Sequence, residues 1–349
     1  MIDALIQLGL FAIQTIIVIA AILIIIGGII AIVTKGKIKG KTKIKLRKLN
    51  KHYQNLAETI NAAILSKAER KQLAKKEKKN KKTTKKNKKK EKKSPEKNKK
   101  RIFVINFEGD LKASAVSSLR EEITAILTVA TPKDEVIVRL ESSGGTVHGY
   151  GLAASQLQRI RDKFIPLTIT VDKVAASGGY MMASVADKIL AAPFAIIGSI
   201  GVVAQLPNFH KLLKKHDIDF EQITAGEYKR TLTLFGENTR RGRHKLQEDI
   251  EEAHELFKDF IKQHRPQIDI AKVATGEYWF AKRALDLKLV DELVTSDDYL
   301  LQSSKAAELF EVTYKKKKKW SDKIFSSCHS TLNKIISLWH KQAEENSYL

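Results

Sequence analysis

The chain has 349 residues and one cysteine, Cys328. That excludes an intrachain disulfide and leaves no cysteine-based zinc site. No cofactor and no metal are expected. Charge is missing from residues 4–34, and 8–33 is almost wholly aliphatic. About 20 such residues are enough for a helix to cross a bilayer. The start, Met1-Ile2-Asp3, lacks a basic residue, and no Ala-x-Ala site follows. Those two absences argue against a cleaved signal peptide and for an uncleaved anchor over residues 5–33. Aromatic residues are missing from the lysine-rich run 75–101. With nothing there to stack on bases, nucleic acid is not expected as a partner.

The net charge is +24, and residues 35–48 and 75–101 together carry +22 of it. The remainder is therefore almost neutral. The basic residues fall where the chain is expected to lie outside a core: a juxtamembrane segment and stalk helix (35–74) and a disordered, self-repelling tether (75–101). Beside an anchor, such a tether suits anionic lipid headgroups. The lysines directly after residue 34 point to the cytoplasm for the remainder of the chain.

A globular domain is expected over 102–300. Strands are read at 102–107, 135–140, 166–171 and 220–224, with short buried strands at 189–192, 195–197 and 200–204. Helices are read at 117–129, 147–161, 207–216, 242–264 and 281–287. Strands alternating with helices indicate an α/β domain with a largely parallel sheet. Residues 189–206 carry no charge but are broken by Pro193, Gly198, Ser199 and Gly201. They read as buried sheet rather than a second membrane span. Residues 315–340 begin with lysines and continue as an amphipathic tail helix that suits a membrane surface or a partner subunit.

The chemistry centres on Asp172-Lys173-Val174-Ala175-Ala176-Ser177-Gly178-Gly179-Tyr180, a strand, a tight turn and a helix start. A serine there can cap the helix. It can equally hold its hydroxyl where developing negative charge is favoured. A second glycine turn, Glu141-Ser142-Ser143-Gly144-Gly145-Thr146, leads into another helix. A serine nucleophile needs a base. His148, His210, His216, His244, His254 and His264 each lack a telling carboxylate partner in sequence, and spacing singles out no lysine.

Four strings supply what spacing does not: Leu140-Glu141-Ser142-Ser143-Gly144-Gly145, Ala175-Ala176-Ser177-Gly178-Gly179-Tyr180, Gly198-Ser199-Ile200-Gly201-Val202 and Ala225-Gly226-Glu227-Tyr228-Lys229. Together they resemble the SppA/SohB family of membrane-bound serine peptidases, over nearly the whole chain. The resemblance implies a ClpP/crotonase-like spiral of ββα units, with an N-terminal transmembrane helix and the disordered basic tether added. It implies Ser177 as nucleophile and Lys229 as general base, 52 residues apart. Backbone N–H groups of Gly144, Gly145 and Gly178 would form the oxyanion hole, with Ser199 at most a partner to the lysine. One departure stands out: where the family usually has Ser-Pro-Gly-Gly, this chain has Ser143 for the proline, which loosens the turn.

The resemblance also implies an ATP-independent endopeptidase of the inner membrane, acting on peptides in or near the bilayer such as remnant signal peptides. Assembly into a homo-oligomeric ring is expected as well. Relatives of the SppA type keep the catalytic domain on the outer side of the membrane, against the cytoplasmic side indicated by the flanking lysines. The competing class is a non-catalytic membrane scaffold with a crotonase-like body.

Overall fold

The computed structural model describes residues 44–66, 68–70, 72 and 100–315. The expected anchor (5–33), the lysine-rich run up to residue 99 and the tail beyond Lys315 lie outside the described residues. Among the described residues no helix is long and apolar enough to cross a membrane.

Ten strands form one mixed sheet, in the order β1 (Ile44–Lys48), β10 (Glu308–Tyr314), β2 (Arg101–Gly109), β3 (Glu135–Ser142), β4 (Leu167–Val171), β6 (Lys188–Ala191) and β9 (Glu292–Leu293). β1 runs antiparallel to β10, and the pairs from β10 to β9 are parallel. A second row branches off where β3 ends. Ser142 pairs with Ala175 of β5 (Val174–Ala176), β5 pairs with β7 (Ile196–Gly198), and β7 pairs antiparallel with β8 (Tyr278–Phe280).

The sequence explains the layering. In β2, Phe103, Ile105 and Phe107 point to one face, while Ile102 and Val104 point to the other. The first face is covered by α2 (Val116–Leu127) and α3 (Val147–Arg161) through Leu119, Ile123, Ala153 and Leu157. The second is covered by α1 (Leu49–Ile64) and the late helix Ser296–Ala306, through Leu49 and Leu300. Burial on both faces accounts for the unbroken apolar run Val136-Ile137-Val138 of β3. Between them, α4 (Gly178–Ser184) is buried throughout, and the last turns of Arg240–His264 dock through Phe257 and Ile261.

Several expected boundaries change. The segment 35–74 is not all juxtamembrane: Ile44–Lys48 is a strand of the main sheet, and Leu49 of the expected stalk helix is buried in its core. The run 75–101 ends too late. Arg101 opens β2 and bonds the buried Asp134 carboxylate through Nε at 2.9 Å and Nη2 at 2.6 Å, and Lys100 reaches Glu135 at 2.6 Å. Burial opposes ionisation of Asp134, but Arg101 and Thr131 outweigh it and hold the carboxyl down at about 2. The domain does not stop at 300 either, because β10 continues it to Tyr314 beside β2. The short strands expected at 200–204 and 220–224 are irregular chain, with Val203 and Ile223 in solvent. Residues 189–206 are sheet and loop, as the breakers indicate, with Ile189, Leu190, Ile197 and Ile200 buried.

Candidate active site

The end of β3 is where the main sheet and the branch row separate, and both glycine turns lie there. Ser177 joins β5 to α4. Its N–H donates to the Gly198 carbonyl at 2.8 Å, and its own carbonyl accepts the Met181 N–H at 2.9 Å. These bonds hold the residue at φ 52°, ψ −121°, the first central position of a type II′ turn, which ordinarily takes glycine. The side chain does not cap the helix. Half-buried, it has no hydrogen-bond partner among the described residues. The serine is thus held in a strained conformation with its hydroxyl uncommitted.

The second turn lies directly against it. Gly144 has φ +88°, and a Cβ there would stand 2.7 Å from the Ser177 Cβ and 2.8 Å from the Gly178 nitrogen. A Cβ on Gly178 would overlap the Tyr150 ring. The Gly144 N–H donates to Ser142 Oγ at 3.1 Å, and the Thr146 N–H to the Leu111 carbonyl at 2.9 Å. Between them the Gly145 N–H has no partner among the described residues. Neither has the Gly178 N–H, at the first position of its helix.

Two other expected residues, Ser199 and Lys229, make no hydrogen bond to Ser177. Ser199 follows Gly198, the acceptor of the Ser177 N–H, and its own N–H donates to Glu277 O at 2.6 Å. Lys229 sits on the irregular segment 216–239, where every residue from 221 to 230 is exposed. The lysine lines a cavity of about 750 Å³ with Leu206, Ile223, Leu232 and Phe235, to which Ser177 does not contribute. No hydrogen bond joins Lys229 to Ser177 in this structure. The lysine turn is fixed instead to the start of Arg240–His264, where Arg241 pairs with Glu227 and donates to the Tyr228 hydroxyl at 3.1 Å. Of the histidines, His148 is exposed and His264 bonds Phe260 O and Gln158 Oε1. None bonds Ser177. Asp172 accepts from the N–H and hydroxyl of Ser296, and Asp187 accepts from the Leu167 N–H and pairs with Arg161, so neither carboxylate is directed at Ser177 by a bond.

Ser142 and Tyr150 were not singled out by sequence reasoning. They meet only because the end of a strand and the first turn of a helix face each other, and an eight-residue spacing does not signal that.

Residues 3–157 match the description "Peptidase family S49 N-terminal" and residues 159–310 match "Peptidase family S49". A relative from Haemophilus influenzae, named "Probable protease SohB", is 47% identical over 351 residues, covering 99% of both chains. The chain belongs to peptidase family S49. A second relative of the same name, from Buchnera aphidicola subsp. Acyrthosiphon pisum, is 56% identical over 237 residues, 68% of this chain and 70% of its own. A solved structure described as a membrane-bound stomatin-specific protease with a substrate peptide covers 66% of this chain and 98% of its own, at 15% identity and a TM-score of 0.41, too loose to carry more. Membership of S49 makes the activity of this chain that of a peptidase.

Proposed function

We propose that the protein is a serine endopeptidase with Ser177 as nucleophile and Lys229 as general base. The observation that carries this reading is the Ser177 turn itself. An uncommitted hydroxyl sits on a strained junction, against a glycine turn with no room for a side chain, beside two unbonded backbone donors. In the first step Ser177 Oγ attacks the scissile carbonyl and Lys229 Nζ takes the serine proton. The Gly145 and Gly178 N–H groups receive the oxyanion; such donors are worth about 10²–10³ in rate each. Gly144 contributes the turn rather than a donor, since its N–H is bound to Ser142. The lysine then returns the proton to the leaving amine, and water hydrolyses the acyl-enzyme by the reverse path.

Lys229 must be neutral to act as base, which requires removal from water. The segment bearing it therefore has to close onto Ser177. Exposed Val203, Leu206, Phe209, Leu212 and Ile223 on and around that segment give it apolar surface to bury in doing so. A ring of copies would cover the same surface. The substrates proposed are peptides in or near the inner membrane, remnant signal peptides among them, with residues 5–33 as anchor. Hydrolysis of fluorogenic peptides by purified Ser177→Ala and Lys229→Ala tests the dyad. Both are expected to lose turnover while melting like the parent, and turnover surviving in Lys229→Ala would overturn the assignment of the base.

A further inference from the structure

The residues of the oxyanion turn do not themselves fix it. Ser143 is exposed, and the two glycines that follow are the least constrained residues available. Yet both donors proposed above must hold their places to within a fraction of an ångström to be effective. What fixes them lies beneath. The Gly144 N–H donates to Ser142 Oγ at 3.1 Å, Ser142 Oγ is 2.6 Å from the Tyr150 hydroxyl, and that hydroxyl donates to the Asp110 carbonyl at 2.8 Å. A tyrosine has one hydroxyl proton, and here Asp110 receives it. Ser142 must therefore donate to Tyr150 while accepting from Gly144, so every bond in the chain has one direction.

Tyr150 is fully buried, and its ring fills the space where Gly178 would carry a side chain. Side chains on Gly109 and Gly179 would intrude on the Ser142–Tyr150 pair as well. One side chain thus touches both halves of the site: the ring supports Gly178, and the hydroxyl, through Ser142, holds Gly144. We propose that Tyr150 and Ser142 are positioning residues that set the spacing between the Gly145 and Gly178 donors. This rests on Ser177 being the nucleophile. Neither residue touches substrate. Their effect is to hold the flexible turn in register with the nucleophile turn.

Tyr150→Phe keeps the ring and removes only the hydroxyl. In the full-length chain, kcat for a fluorogenic peptide is expected to fall about tenfold, less than the loss of a whole donor, with KM within twofold of the parent. Phosphonylation of Ser177 by a fluorophosphonate should slow by the same factor, since that reagent also places an oxygen at the donors. Amide hydrogen exchange over residues 143–146 should speed up. Ser142→Ala should match on every readout, and the double variant should lose no more than the worse single one, because both break one chain. If Tyr150→Phe does not fold, Ser142→Ala carries the same measurements.

Unchanged kcat in a folded variant, or a rise in KM alone, would overturn the proposal. So would losses that multiply in the double variant. If the parent neither cleaves peptides nor reacts with the fluorophosphonate, the nucleophile assignment fails. The clamp is then judged by exchange alone: faster exchange over 143–146 in Tyr150→Phe supports it, and unchanged exchange overturns it.

Discussion

Replacing Ser177 by glycine should make the protein more stable than replacing it by alanine, although glycine normally costs about 0.5–1 kcal/mol through the extra freedom of the unfolded chain. At φ 52°, ψ −121°, any side chain is strained. Residues held in such regions cost roughly 1–3 kcal/mol. Alanine keeps that strain and glycine relieves it, so the net advantage of Ser177→Gly over Ser177→Ala is about 1 kcal/mol. Because Ser177 Oγ has no hydrogen-bond partner among the described residues, Ser177→Ala itself should lie within about 0.5 kcal/mol of the parent. For a domain of this size, 1 kcal/mol is roughly 2–4 °C in Tm. The comparison is a thermal or urea melt of the two variants in the same detergent. Both are expected to be inactive, and they differ only in one methyl group and the backbone freedom of residue 177. A glycine variant that melts at or below the alanine variant would refute the claim that the Ser177 turn stores strain.

Three other outcomes follow from the same geometry. Gly144→Ala puts a Cβ 2.7 Å from the Ser177 Cβ at φ +88°; peptide hydrolysis should fall at least ~100-fold and stability by about 1–3 kcal/mol. Asp134 has a pKa lowered to about 2 in the folded state. Its contribution is therefore complete above the unfolded value near 3.8 and is lost as pH falls toward about 2. An acid melt should show a loss of at most about 2 kcal/mol across that window, less what solvent screening of Arg101 removes, and Asp134→Asn should flatten it. Deleting residues 75–97 should leave hydrolysis of soluble peptides within about twofold of the parent and change stability by no more than about 1 kcal/mol. Extending the deletion through Arg101 strands the buried Asp134 carboxylate and should cost about 3 kcal/mol in a melt.

What the sequence discloses and what it hides divide along physical lines. Helix α3 was legible to the residue, because Thr146 precedes a run of periodic apolar positions and the helix packs along its whole length. β3 was legible through Val136-Ile137-Val138. The Ser177 and Gly144 turns were legible as motifs, since their glycines answer to close approach. Long-range pairing was not legible. Ile44 finds Tyr314 across 270 residues, and nothing local to either marks the match. The apolar run 200–204 misled because β-branched residues read as strand, while Val203 here points into solvent. At the site, the sequence pointed to Lys229 only through resemblance, and it concealed the Ser142–Tyr150 chain, whose partners belong to different elements.

The pairing of β1 with β10 changes what the lysine-rich run can be. Ile44–Lys48 already belongs to the sheet, so residues 73–99 lie, in sequence, between two strands of one domain, β1 and β2. What remains between the end of the apolar run at Val33 and the sheet at Ile44 is residues 34–43. Ten residues reach at most about 36 Å fully extended. If residues 5–33 anchor the chain as proposed, those ten residues are all the sequence between the anchor and the sheet, and a domain so held would reach only peptides close to the lipid surface.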